Sequence, residues 1–164
     1  MNNASTTAQL KPARIGRLGE RVIAGVDGHY DMGTRVAIPS QWATYSARGY
    51  PEDTMVRDAY YGVCHNMQPD GRFDYMCGMQ LRKGEMPPHG LTTEVIPAGN
   101  YAKFRCPVHI SQMHEQWNRI MAEWLPASGY YLGDGPCVEF YGPGFDAATG
   151  EGGFELWVPV KKPA

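Results

Sequence analysis

The chain has 164 residues, of which 43% are hydrophobic and 20% charged, a composition typical of one globular domain with a sizeable core. A formal net charge of −2 argues against the strongly basic character with which many proteins bind nucleic acid or anionic membranes. No apolar run approaches the roughly 20 residues of a membrane span and no signal peptide is evident, so we expect a cytoplasmic protein. The four cysteines form no CxxC pair and are expected to be reduced thiols.

The first half of the sequence predicts a strand, a helix and two further strands. Residues 1–14 are mostly polar or small and are expected to form a flexible tail. A strand lies within Arg17–Tyr30, and a helix is predicted at Pro39–Arg48 because proline suits the first helical position and a glycine follows the last one. Two strands then follow, at Val56–His65 and Phe73–Leu81.

The second half repeats this order after a connector at Lys83–Gly90, which is rich in glycine and proline. A strand at Leu91–Arg105, bent at a Pro-Ala-Gly sequence, leads into the most regular helix pattern of the chain, Ile110–Leu125. The two last strands are predicted at Gly135–Gly142 and Phe154–Val160, on either side of a glycine-rich loop.

Residue matches between the halves predict an internal duplication. Tyr61-Gly62 and Tyr141-Gly142 are 80 residues apart (141 − 61), and Phe73-Asp74 and Phe154-Glu155 are 81 apart (154 − 73). Their common order and near-constant offset are typical of a repeated unit. A further match joins Ile23-Ala24-Gly25 to Ile96-Pro97-Ala98-Gly99.

These features predict a single α+β domain at residues 15–162, built from two βαββ repeats at about residues 15–82 and 91–160. Neither repeat can bury its apolar face alone. We therefore expect the two units to share one curved, mostly antiparallel sheet with two main helices and a ligand cleft between the repeats.

Glu139 stands in the middle of an apolar strand and is the first candidate binding residue. Alternation places it on one face with Cys137 and Tyr141. That face is either solvated or lines a cavity, in which the carboxylate would meet a cationic ligand. Glu155 on the next strand is expected to face the same cavity. In the first repeat Ala59 is predicted to match Glu139, so the acid belongs to one half only.

Aromatic side chains are candidates for a cage around a cationic group, since each ring contributes about 0.5–2 kcal/mol to binding a cation. For the two tryptophans of the second helix the alternative is ordinary core packing. The histidines show no HxxxH or HExxH spacing, so no metal and no other cofactor is expected. The aromatic candidates are Trp117, Trp124, Trp157, Tyr61, Tyr75, Tyr101 and Tyr141.

Several short motifs resemble those of the GyrI-like family, which includes the effector-binding domains of AraC- and MerR-type regulators. The resemblance covers about residues 15–162. It implies the duplicated fold described above, with an apolar, aromatic pocket whose acidic residue meets cationic lipophilic ligands in the regulators. The motifs are Tyr61-Gly62-Val63, Val95–Ala102, Glu123–Tyr130, Glu139-Phe140-Tyr141 and Phe154–Val160.

Three functional hypotheses follow from the resemblance. The leading one is a standalone protein that binds hydrophobic cations, in drug or toxin resistance or in transcriptional regulation, because no helix-turn-helix is evident in the sequence. The second is a hydrolase of cyclopropane-bearing genotoxic natural products, with Glu139, Glu155, Tyr101 and Tyr141 as catalytic candidates. The third is an inhibitor of DNA gyrase or a partner of a regulator protein. Direct binding to nucleic acid or membrane is not expected.

Overall fold

The computed structural model describes residue 12 and residues 14–163. The expected tail, residues 1–14, therefore lies outside the described residues except for Pro12 and for Arg14, which begins the first strand. The strands are β1 (Arg14–Leu18), β2 (Arg21–Tyr30), β3 (Met55–His65), β4 (Phe73–Leu81), β5 (Thr92–Ile96), β6 (Gly99–Cys106), β7 (Tyr131–Leu132), β8 (Cys137–Tyr141) and β9 (Phe154–Lys161).

The helices lie close to the predicted positions. Helix α1 (Ile38–Arg48) has proline in its first turn and ends at a glycine in the left-handed conformation. Helix α2 (Met113–Arg119) follows a short 3₁₀ turn and continues through a π-helical segment, Ile120–Trp124, into the short α3 (Leu125–Ser128). None of the helices described is long and apolar enough to cross a membrane.

All strands join one antiparallel arrangement in the order β1-β6-β9-β8-β3-β4-β2-β5, with β7 paired to β9. This order reads the same from either end when β1 is matched to β5, β2 to β6, β3 to β8 and β4 to β9. The symmetry confirms the predicted duplication around a central β3–β8 pair. Each βαββ unit is also preceded by a short strand that pairs with the other unit, β1 with β6 and β5 with β2.

The strand pairing corrects one residue match between the repeats. In the β3–β8 ladder of five pairs Gly62 lies opposite Glu139. This is a cross-strand pair, and it leaves the predicted equivalence of Ala59 and Glu139 between the repeats unchanged. Leu18 ends β1 as Ile96 ends β5, so the counterpart of Ile96 is Leu18 and not Ile23. Similar residues recur along a strand, so residue identity alone places the match a few positions off.

Different elements pack against the two faces of the sheet. Helices α1 and α2 pack on one face, which we call the helix face. Helix α1 packs against β4 side chains such as Tyr75, and α2 packs against the even-numbered side chains of β9 such as Leu156 and Val158. The odd-numbered residues of β9 point to the opposite face, which we call the far face, where Trp157 packs against Tyr61 and Phe140. Burying each of these large side chains contributes about 1.5–3 kcal/mol to stability.

Candidate functional site

Glu139 lies on the helix face at the centre of the sheet, and only 7% of its surface is exposed. Its Oε1 atom accepts hydrogen bonds from the hydroxyls of Tyr75, at 2.6 Å, and Tyr141, at 2.9 Å. The indole of Trp117 on α2 also acts on this carboxylate and lowers its pKa. The predicted alternation, which placed Glu139 and Tyr141 on one face, is confirmed.

Helix α1 contributes a second tryptophan to the same site. The Nε1 of Trp42 donates to the Tyr75 hydroxyl at 2.8 Å, so this hydroxyl accepts from Trp42 and donates to Glu139. The Trp42 ring also stands edge-on to Tyr141, with centroids 5.5 Å apart. Sequence reasoning missed Trp42 as a site residue, although it sits on the helix that the duplication matches to the helix of Trp117.

Gly62 provides the space that this arrangement needs. A Cβ atom at this position would lie 2.2 Å from the Tyr75 hydroxyl oxygen and 2.6 Å from Oε1 of Glu139, far below van der Waals distance. The acid in one repeat therefore depends on a glycine at the paired position of the other. The site is built from both halves of the chain.

The site holds a carboxylate among neutral donors. Burial raises the pKa of Glu139, while the hydrogen bonds from Tyr75, Tyr141 and Trp117 act in the opposite direction. Burial also raises the pKa of Tyr75 and of Tyr141 well above the usual value, so both hydroxyls keep their protons. None of the ion pairs within residues 14–163 involves Glu139. A bound cation would supply the missing positive charge.

The structure separates the other predicted site residues. In the β8–β9 ladder Glu155 is paired with Phe140, and Glu139 with Leu156, so the two acids point to opposite faces and do not share a cavity as expected. The sequence fixes alternation within each strand but not the register between two strands. Glu155 accepts a hydrogen bond from the indole of Trp157 at 3.1 Å.

Tyr61 and Tyr101 also belong to the far-face cluster with Trp157, away from Glu139. Trp124 is on the helix face, but its ring packs against Phe104, with centroids 4.9 Å apart, and against Tyr130. Of the four catalytic candidates, the structure brings only Glu139 and Tyr141 together.

Two buried tyrosines provide a matched pair for a stability test. The hydroxyl of Tyr101 is buried without a hydrogen-bond partner among the described atoms, whereas that of Tyr75 has two. We expect Tyr101→Phe to be neutral or to stabilise the protein by about 1 kcal/mol, and Tyr75→Phe to destabilise it by about 1–3 kcal/mol. Urea unfolding of both variants measures this, and equal losses in the two would contradict it.

Histidines and carboxylates meet on the far face, although their sequence spacing predicted no cluster. His65 on β3 lies 2.9 Å from Asp27 on β2 and 3.6 Å from Glu94 on β5. His29 pairs with Asp74 at 2.5 Å, and the ligand-type atoms of Asp27, His65 and Asp74 lie within 4.8 Å of one another. These groups satisfy each other as ion pairs, which accounts for the arrangement.

The same cluster predicts a pH dependence of stability. The hydrogen bond to Asp27 raises the pKa of His65, and burial lowers it. The carboxylates of Glu94 and Asp74 also raise this pKa. His29 is a further titratable group nearby. A raised pKa in the folded state stabilises the protein below the unfolded value of about 6.5, and this contribution is lost as the pH rises through the folded value. We therefore expect the urea concentration at the unfolding midpoint to decrease as the pH is raised from 6 to 8 and beyond.

His65→Gln is the variant that assigns this dependence, because glutamine keeps hydrogen-bonding capacity but does not titrate. The fall in midpoint over that range is expected to shrink in His65→Gln. A pH profile identical to that of the wild type would show that other groups are responsible.

The model of a family described as the GyrI-like small molecule binding domain matches residues 12–161. A protein named DNA gyrase inhibitor from Erwinia billingiae is 37% identical over 73 residues, which cover 44% of this chain and 46% of the relative. A protein named transcriptional regulator BrlR from Pseudomonas aeruginosa is 28% identical over 101 residues, which cover 61% of this chain and 37% of the relative. The matches thus span less than half the length of either relative.

Among solved structures, that of SAV2435 bound to tetraphenylphosphonium has a similar fold. The TM-score is 0.71 at 17% sequence identity, with 90% of this chain and 93% of the other covered. At this identity the similarity establishes the fold and leaves the ligand of this chain to be argued from its own residues.

Proposed function

The chain belongs to the GyrI-like small-molecule-binding family, and we propose that its site around Glu139 binds hydrophobic organic cations. The observation that carries the proposal is a buried carboxylate, at the centre of the sheet and 7% exposed, that is surrounded by aromatic side chains and has only neutral donors as partners.

A cation gains from this environment in two ways. The Coulomb attraction to Glu139 is stronger in a site from which water is excluded, and it offsets the cost of burying the carboxylate. The rings of Trp42, Trp117 and Tyr141 surround the acid, and each ring within reach of a cation contributes about 0.5–2 kcal/mol. Together these terms are sufficient for micromolar binding, which corresponds to about −8 kcal/mol.

Selectivity follows from the same geometry. An anion would be repelled by Glu139, and a strongly hydrated small cation would lose more hydration energy than the site returns. A large cation with a delocalised, apolar surface loses little on leaving water. The solved structure of SAV2435 with tetraphenylphosphonium, a cation of this class, supports the choice of ligand class for this fold.

The test uses three compounds of similar shape and different charge. Tetraphenylphosphonium, neutral triphenylphosphine oxide and anionic tetraphenylborate are titrated into the protein, with tryptophan fluorescence and calorimetry as readouts. We expect the cation to bind at micromolar concentration and the other two to bind at least tenfold more weakly. Equal binding of all three compounds, or of none, would refute the proposal.

A second hypothesis, inhibition of DNA gyrase, is supported by the name of the relative from Erwinia billingiae, which matches 44% of this chain. A gyrase supercoiling assay with the purified protein tests it directly. Inhibition that persists in Glu139→Gln would place this activity outside the ligand site. Full supercoiling at excess protein would exclude it.

A further inference from the structure

A second pocket, on the far face, has the opposite charge to the Glu139 site. It has a volume of about 240 Å³ and lies where β1, the start of β2 and β6 meet. Its lining contains four basic side chains, Arg14, Arg17, Arg21 and Lys103, and no carboxylate. The overall charge of −2 gave no indication of this local concentration of positive charge.

Among the described residues, none of the four cations lies within ion-pair distance of a carboxylate. Arg21 donates one hydrogen bond, to the neutral hydroxyl of Tyr61 at 2.9 Å, which leaves most of its donors unused. Like charges held this close repel each other, and an anion between them would offset that repulsion.

Two of the cations are held in place by an aromatic ring. The Lys103 ammonium lies 4.1 Å from the centroid of Trp157, and the Arg21 guanidinium lies 5.3 Å from the same ring. Strand register sets Arg14 opposite Lys103 on the neighbouring strand. Burial, together with Arg21 and Arg14, lowers the pKa of Lys103, while Glu155 on the neighbouring strand acts in the opposite direction.

We propose that this pocket binds a small oxyanion, the phosphate or carboxylate groups of a metabolite-sized ligand. Arg21 and Lys103 are its principal contacts, because arginine offers paired donors and lysine a point charge. The site is separate from Glu139, which lies on the helix face. The proposal therefore does not depend on the proposed binding of hydrophobic cations.

Pyrophosphate is a suitable probe, since its charge and size suit a basic pocket of this volume. Calorimetry and thermal unfolding with pyrophosphate are compared with sodium chloride at equal ionic strength. We expect saturable binding that raises the unfolding temperature, and Arg21→Gln and Lys103→Gln each to weaken it about tenfold, as for the loss of one charge-assisted hydrogen bond. The matched controls Arg57→Gln and Lys161→Gln remove exposed cations outside the pocket and should leave affinity unchanged.

The outcomes are distinct. Pyrophosphate without effect beyond sodium chloride, or equal losses in control and pocket variants, would overturn the proposal. Binding of a short DNA duplex without binding of pyrophosphate would also overturn it, and would make the pocket part of a nucleic-acid surface. Urea unfolding checks that Arg21→Gln is folded, and Lys103→Gln gives an independent answer. Unchanged pyrophosphate affinity in Glu139→Gln would separate this site from the cation site.

Discussion

Glu139→Gln is expected to weaken the binding of tetraphenylphosphonium about 30-fold or more, because removing one charge of a desolvated pair costs at least about 2 kcal/mol. Glutamine has nearly the same shape and still accepts hydrogen bonds from Tyr75 and Tyr141, so the site keeps its form. Fluorescence titration and calorimetry measure the change, with urea unfolding as the check on folding.

Glu155→Gln is the matched control, since it removes a carboxylate from the neighbouring strand on the far face. Its affinity for tetraphenylphosphonium should equal that of the wild type. Similar losses in both variants would mean that net charge, and not the Glu139 site, governs binding.

The raised pKa of Glu139 predicts in which direction the affinity for a cation changes with pH. A bound cation stabilises the charged carboxylate, so protons compete with the ligand. Affinity is expected to fall as the pH is lowered through the pKa of Glu139, which burial raises. In Glu139→Gln this dependence should be absent. An equal pH dependence in both proteins would assign the titration to another group.

Gly62→Ala is expected to destabilise the protein by about 2–4 kcal/mol, because the new methyl group overlaps two hydrogen-bonded oxygens at the centre of the sheet. Its Cβ atom would lie 2.2 Å from the hydroxyl oxygen of Tyr75 and 2.6 Å from the Glu139 carboxylate. The tyrosine must move, which breaks its bonds to both Glu139 and Trp42. Urea unfolding gives the stability, and cation titration shows the accompanying loss of binding.

Gly99→Ala provides the matched control on another strand. Gly99 begins β6, and a Cβ atom there has nothing within 4 Å. This change is expected to alter stability by no more than about 0.5 kcal/mol. If the two alanine variants lose stability equally, backbone freedom of glycine and not the crowding around Glu139 explains the effect.

Local patterns in the sequence determined most of the elements. Alternating apolar residues predicted β3, β4 and β9 nearly to the residue, and helical spacing with terminal proline and glycine predicted α1. The same alternation placed Tyr141 beside Glu139. These features depend on neighbours a few positions apart, which a single sequence displays directly.

Only the tertiary structure shows which side chains lie on the helix face and which lie on the far face. Which face of β9 adjoins Glu139 depends on its register with β8, and a shift of one residue would exchange Glu155 for Leu156. The register between β3 and β8 likewise sets Gly62 opposite the acid. The sequence alone therefore determined the repeated strands, the helices and the buried acid. The pairing between strands decided which aromatic residues surround that acid, and it gathered three arginines and a lysine into a separate basic pocket.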